Sequence, residues 1–318
     1  MIRHPLSKTI NSRGFALLFS SPGGLSLSSQ RYATMSSTKK ARTHPNYELL
    51  YHPGKMPGRG EFIRLAFEAA GVSYKDVSNE QENGTVSHAL AAKSIGLLTC
   101  SIGREIIADL VSSKSTGDSD SNPPVFAPPA LRIPGEGKNG KALLISQTPS
   151  ILNYLGDKLD LAGDDEAEKA WILSHTLTAL DLNNEAHDTH HPIRIMDYYE
   201  NQKEEALQKA KSFREDRIPK FLGFFERVLK GNAKEGQGKY LVGGRLSYAD
   251  TSVWHVLSGL LFAFPKELEA RKKEYPTLFD TFYPSVQEYS GLKEYLASER
   301  RFPFNQGIYR HYPELDRQ

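Results

Sequence analysis

Tyr47 and Tyr51 bracket the short apolar run of NYELLY. Four residues apart in a strand, they leave the same face. Each phenol is either a hydrogen-bond donor at a site or an ordinary strand aromatic. In SQTPSILNYL, Gln147 and Thr148 precede Pro149. A hydroxyl and free amides at a helix start attract a carboxylate. The same spacing predicts Thr148 as the helix cap with Pro149 at the first helical position. His187, His190 and His191 in HDTHHP have the one-turn spacing that can chelate a metal on a helix. Without Cys or Glu at matching distance, they read better as pocket lining or as a cap near Pro192. Ser247 and Asp250 read as a capping box, with Asp in the place of Glu. Cys100 is the single cysteine, so neither an intramolecular disulfide nor a Cys-rich metal cluster is open to the chain, which fits a reducing compartment.

Those residues need elements to hold them. NYELLY reads as a strand and PGKMPGRG as a loop. EFIRLAFEAAGV follows as an amphipathic helix on Phe62, Leu65, Ala66 and Ala69, stopped by Gly71. VSYKDV supplies a second strand, which completes a βαβ unit with a parallel pair. ALRI and ALLI flank PGEGKNGK as an antiparallel hairpin. From Asp164 onward the strand signals end, and long helical patterns follow: EAEKAWILSHTLTALDLNNEA, NQKEEALQKAKSFREDRIPKFLGFFERVLK, YADTSVWHVLSGLLFAF and GLKEYLASER. The expected architecture is α/β plus all-α, with an α/β domain over residues 47–158 and an all-helical domain over 159–318. Residues 79–125 resist assignment, and a connection this long demands its own explanation. One account is a retained intron near 86–110, because Val86-Ser87 can be encoded by GTAAGT, a common donor-site sequence.

Composition narrows the classes. With 318 residues, 39% hydrophobic and 25% charged, the chain is large enough for two domains. No apolar run approaches the roughly 18 residues of a membrane span, so no integral membrane segment is expected. The net charge of +2 hides an asymmetry: seven basic residues, from Arg3 to Arg42, precede the first acidic one, Glu48. The remainder is net acidic and carries no basic stripe, which argues against nucleic acid. Residues 1–34 are rich in Ser and Arg, lack Asp and Glu, and include FALLF. Residues 1–46 therefore read as a mitochondrial transit peptide or a disordered tail, the alternative being a cytoplasmic product started at Met35.

Four stretches in one order then carry a resemblance: NYELLY with GRGEFIRLAFEAAGVSY, LLISQTPSILNYL, KYLVGGRLSYADTSVW and GLKEYLASERRFP. Together they resemble the glutathione S-transferase family, tyrosine-type and sigma-like, fungal members in particular, over nearly everything from Tyr47 onward. The resemblance implies a thioredoxin-like first domain and a helical second one. It also implies a homodimer, glutathione as co-substrate with no other cofactor or metal, and a small hydrophobic electrophile as partner substrate. Tyr51 then corresponds to the phenol that stabilises the thiolate, with Tyr47 as the competitor. Arg59 matches an arginine close to the sulfur, although its loop is about three residues longer than usual. Residues 52–60 contain neither Ser nor Cys, which leaves the tyrosine type among the family's catalytic styles.

By the same resemblance Gln147 and Thr148 hold the γ-glutamyl end, and Pro129 is the cis-proline beside the peptide backbone of glutathione. Pro128 departs from the pattern, because it has no N–H to donate. Either Pro128 is the cis residue with Ala127 as donor, or one hydrogen bond is missing. The acid that family members send across the dimer has Asp181 as its nearest substitute, and Lys93 is the weak candidate for a glycyl-carboxylate cation. Two alternatives to conjugation stay open: a non-catalytic interaction and dimerisation module of the same fold, or a glutathione-dependent isomerase or peroxidase.

Overall fold

A computed structural model describes residues 43–79, 81–82, 105, 107–112, 114–304 and 307–318. The strand predicted around NYELLY is β1 (Glu48–Leu50), and the amphipathic helix after it is α1 (Gly60–Ala70). Gly71 ends that helix at φ +64°, and its N–H returns to the Phe67 and Glu68 carbonyls. The chain then re-enters the sheet as β2 (Lys75–Asp76), parallel to β1 with Glu48 opposite Lys75. A two-residue strand, β3 (Gln81–Glu82), adds to the edge inside the stretch the sequence left unassigned. Residues 83–104, which hold Lys93 and most of the suspected intron, lie outside the described residues, as do residues 1–42 and the suspected transit peptide.

The predicted hairpin is present as β4 (Ala130–Ile133) and β5 (Leu143–Ser146), antiparallel with Ala130 opposite Ser146. The sheet order is β3-β2-β1-β4-β5. One consequence of the register matters most. Leu50 faces Ala130 and Ala130 faces Ser146, so Tyr51, Pro129 and Gln147, each one residue beyond its strand, come together at one end of the sheet.

Helices account for the rest: α2 (Thr148–Leu159), α3 (Glu166–Asp188), α4 (Lys203–Ser212), α5 (Ile218–Gly231), α6 (Ala233–Gly236), α7 (Tyr248–Ala263), α8 (Pro265–Arg271), α9 (Tyr283–Gln287) and α10 (Ser290–Leu296). The pattern is that of a small α/β layer followed by an all-helical part, as expected. Asp165 caps α3 by accepting the Ala167 and Glu168 amides at 2.9 Å. Helix α7 is buried on nearly every side, the signature of a central helix. Its start is the capping box read from the sequence: the Ser247 N–H and hydroxyl both donate to Asp250 Oδ2 at 2.7 Å.

Two expectations need correction. The pattern from Asn201 to Lys230 is not one regular helix, because residues 213–217 widen into a π-type turn just ahead of Pro219, whose missing N–H cannot continue the ladder. Helix α10 stops at Leu296, short of the ASER residues included in its predicted span.

Under the sheet end, α1 carries an unusual load. Glu61, Arg64 and Glu68 are buried although charged. Arg64 Nε donates to Asp76 Oδ2 at 2.9 Å, and its Nη1 donates to Glu61 Oε2 at 3.1 Å and to the Pro57 carbonyl at 3.2 Å. Glu61 Oε1 also accepts the Tyr295 hydroxyl at 2.8 Å and pairs with Arg301 at 2.8 Å, while Glu68 pairs with Arg300. These bonds join α1 to α10 and the segment after it, and they tie down the loop that leads out of β1.

Candidate functional site

A cleft of about 480 Å³ opens at the sheet end described above, lined on one side by Tyr51, Arg59 and Pro128 and on the other by Asn184, His187 and Ile195. The strand ends supply one wall and the last turns of α3 the other, so the cleft lies where the α/β layer meets the helices.

Tyr51 is 5% exposed and lines the cleft. Its ring lies against the backbone of residues 58–60. A β-carbon at Gly60 would come within 2.8 Å of the ring, and one at Gly58 would overlap the phenol oxygen. Only glycines let the loop pass this closely, and Gly58 also sits at φ +43°. The Arg59 N–H donates to the phenol oxygen at 2.8 Å. A hydroxyl that accepts in this way keeps its own proton for another acceptor. Burial raises the phenol above its ordinary value of 10, against the opposing pull of the Arg59 amide and of Arg64, whose guanidinium lies 5.9 Å from the ring centre. The group is a neutral donor at physiological pH, not a base.

Tyr47 leaves the same strand face but reaches elsewhere. It packs on Phe67 with ring centres 5.0 Å apart, and burial pushes its phenol up to about 12. It does not line the cleft.

Arg59 precedes the first turn of α1, and its guanidinium donates to Asn184 Oδ1 at 2.6 Å. Across the sheet end, the cis peptide is Pro128–Pro129, and Pro128 before it offers no N–H. Gln147 follows β5 with φ +73° and ψ 120°, a backbone that non-glycine residues adopt at a cost of roughly 1–3 kcal/mol and that concentrates at ligand clamps.

Thr148 corrects the sequence reading. The cap position belongs to Gln147, whose carbonyl accepts the Ile151 amide at 3.0 Å, and Thr148 is the first helical residue. The positive φ at Gln147 changes the chain's entry so that the threonine hydroxyl does not cap. It is buried and has no hydrogen-bond partner among the described residues. Such orphaned hydroxyls are uncommon and ask for an explanation.

The histidines do not share a helix face: His187 lies in the last turn of α3, and His190 and His191 lie beyond its end. His187 lines the cleft and stacks on His191 at 4.7 Å, while His190 bonds the Ile308 carbonyl and His191 the Asp197 carbonyl. Burial lowers all three, His190 to about 3, so they are neutral at pH 7. Among the described residues no group of His, Cys, Asp and Glu has the arrangement to hold a metal ion. Asp181 is exposed on α3, where Arg217 feels its charge, and it does not line the cleft.

Sequence reasoning missed Asn183 and Asn184. The signal was available, because Asn183 stands in the apolar stripe of α3 with Ile172, Thr176, Ala179 and Ala186, and all of these are buried. A lone amide in such a stripe has a bonding role to fill.

Comparison with known proteins bears on this architecture. Residues 187–299 match a family described as "Glutathione S-transferase, C-terminal domain". The chain is 32% identical over 161 residues to glutathione S-transferase alpha-1 of Rattus norvegicus, an alignment that covers 50% of this chain and 64% of that one, just under two thirds. Against glutathione S-transferase alpha M14 of Sus scrofa it is 30% identical over 168 residues, covering 49% of this chain and 70% of the relative. A solved structure of a Fasciola hepatica sigma class GST superposes with a TM-score of 0.56 at 21% identity, over 82% of this chain and 98% of the other, which speaks to the fold.

Proposed function

As the chain belongs to the glutathione S-transferase family, we propose that it conjugates reduced glutathione to small hydrophobic electrophiles, with Tyr51 as the donor that stabilises the sulfur anion. A free thiol of this kind has a pKa of roughly 8.5, so little thiolate exists at neutral pH. A hydrogen bond from a buried phenol and a nearby guanidinium favour the charged form, and a shift of about two units corresponds to roughly 3 kcal/mol. The thiol proton leaves to solvent and the sulfur lone pair forms the new bond to carbon. The electrophile then expels its leaving group, or takes up a proton where it is an activated alkene.

Within this reading Gln147 and the unpartnered Thr148 hydroxyl hold the γ-glutamyl carboxylate at the start of α2, where helix amides add to the attraction. Pro128 and Pro129 border the peptide portion of glutathione, with one backbone bond fewer than an ordinary residue before Pro129 would give. That bond is worth about 1 kcal/mol. The observation that carries the reading is the convergence of a buried phenol held by the Arg59 amide, a Gln147 of positive φ and an orphaned buried hydroxyl at one sheet end.

The test is Tyr51→Phe beside Tyr47→Phe, scored by the absorbance of bound glutathione thiolate against pH. The Tyr51 variant is expected to move the titration upward by about two units and the Tyr47 variant to leave it in place. Titrations that coincide with wild type in both would refute the mechanism.

Pro128, lacking a backbone donor, favours a second reading, a glutathione-binding interaction module without turnover. Retention on immobilised glutathione with no conversion of a chromogenic aryl halide is its signature. Two further proposals complete the picture. The chain acts as a homodimer through α3, where Trp171 and Leu177 are exposed and Asp181 is the available acid for a partner's site; a monomeric mass by light scattering would contradict it. Residues 1–34 direct the chain to mitochondria, a location that a fluorescent fusion with and without them decides.

A further inference from the structure

We propose that Asn184 is the positioning residue for Arg59, its amide oxygen fixing the guanidinium on the cleft wall without neutralising it, so that the full charge stays available to a bound anion. The inference rests on the thiolate reading above.

Arg59 is held at both ends. Its backbone N–H is bonded to the Tyr51 phenol at 2.8 Å, and its guanidinium reaches 125 residues along the chain to Asn184 Oδ1 at 2.6 Å. Tyr51, Arg59 and Asn184 line the same cleft. A carboxylate in the position of Asn184 would take the arginine in a charge-assisted, bidentate pair and cancel most of its field. An amide oxygen orients the same fork and carries no charge. The side chain of Arg59 pairs with no carboxylate among the described residues.

The neighbouring residue shows how the amide itself is held. Asn183 is fully buried in α3, where an amide is costly unless its bonds are made. Its Oδ1 accepts the Tyr309 hydroxyl at 3.1 Å, and its Nδ2 points to Asn184 Oδ1 at 3.5 Å. A line of polar contacts thus runs from the buried Tyr309 through both asparagines to Arg59, and it connects the C-terminal segment to the cleft. The other ionisable groups on the cleft are His52, beside Tyr51, and His187 with Asp188, one turn on from Asn184. Arg310 also acts on His187.

The experiment measures the thiolate absorbance of bound glutathione against pH on the full chain, for Asn184→Ala and Asn184→Asp, each alone and combined with Arg59→Ala. Both single variants are expected to raise the half-titration point by about half a unit to one unit, and Asn184→Ala is expected to shift it no further once Arg59 is alanine, whereas an unpaired aspartate at 184 still repels the thiolate in that background. Asn184→Asp is the discriminating variant and is nearly isosteric, so it serves even if the alanine variant folds poorly. A carboxylate tethers the arginine more tightly than an amide, so a role limited to tethering predicts a wild-type titration for it. That outcome overturns the proposal, as does an Asn184→Ala shift that persists without Arg59. If Tyr51→Phe moves the titration and the Asn184 variants do not, only this inference falls. If the wild-type chain shows no thiolate band at all, the thiolate reading fails and the inference falls with it.

Discussion

At the scale of single residues, the cleft depends on a contact between a side chain and bare backbone. The phenol of Tyr51 is placed by the absence of a β-carbon at Gly58, whose backbone lies against the phenol oxygen in a left-handed conformation. Gly58→Ala therefore does two things. It forces alanine into a backbone that costs about 1–2 kcal/mol, and it drives a methyl group into the phenol. Gly54 provides the control, because its φ is +94° but a β-carbon there meets nothing within 4 Å. Both alanine variants are expected to lower the unfolding free energy in urea. Only Gly58→Ala is expected to reduce glutathione conjugation by tenfold or more, since misplacing a reacting group by about 1 Å can cost a hundredfold. Equal conjugation rates in the two variants would show that the phenol is not positioned by this contact.

Among the elements, α7 offers the clearest coupling of sequence to energetics. Asp250 receives the Ser247 amide and hydroxyl and, at its other oxygen, the Leu241 amide at 2.8 Å. Burial nevertheless pushes its carboxyl up to about 6 from an ordinary value of 3.8, because three donors do not fully replace water around a charge. The folded state thus holds a proton that the unfolded chain has released between those values, and the contribution of Asp250 to stability is full below pH 4 and is lost as the pH rises through 6. Compared with Asp250→Asn, wild type is expected to lose about 1–3 kcal/mol of its relative stability from pH 4 to pH 7, read from urea midpoints. A relative stability that grows with pH would mean the donors outweigh burial. This box was legible in the sequence, as was α1, because both are written in local spacing: Ser247 three residues before Asp250, and four apolar positions ending at Gly71. The hairpin followed from strands whose turn residues mark their limits, whereas Tyr51, Pro129 and Gln147 were named through the resemblance and their meeting at one sheet end comes from the strand register. Thr148 was misread as a cap because a threonine before proline has the right chemistry, and only the positive φ at Gln147 moves the cap back by one residue. The π-type turn before Pro219 was missed for a related reason, since apolar periodicity passes through it. Arg59 with Asn184 lay beyond any such reading, because nothing local specifies a partner 125 residues away.

Over the whole molecule, the sheet layer and the helices are held together by a buried charge cluster behind Tyr51 as well as by apolar packing. Burial opposes the charge on Glu61, but Arg301 and Arg64 overcome it and hold the carboxyl below its ordinary range. Arg64 is disfavoured by burial in turn and is raised above its usual value by Asp76 and Glu61. Neither side of the arrangement is stable alone, because each buried charge is tolerated only through the others. Arg64→Met keeps a similar volume and removes the central cation, leaving Asp76 without its guanidinium, Glu61 with Arg301 and Tyr295 only, and the Pro57 carbonyl with the Glu61 amide as its remaining donor. The loss at pH 7 is expected to be about 3–5 kcal/mol, the size found when one partner of a buried pair is removed. The sign with pH follows from Glu61: a depressed carboxyl contributes stability above its ordinary value near 4.5 and gives it up as the pH falls through the depressed one. The deficit of Arg64→Met is therefore expected to narrow toward acid, and equilibrium unfolding at pH 7 and pH 4 measures it. A deficit under about 1 kcal/mol at pH 7, or one that widens in acid, would mean that apolar contacts such as Phe62 on His255 hold the layers together and that the buried ions are incidental.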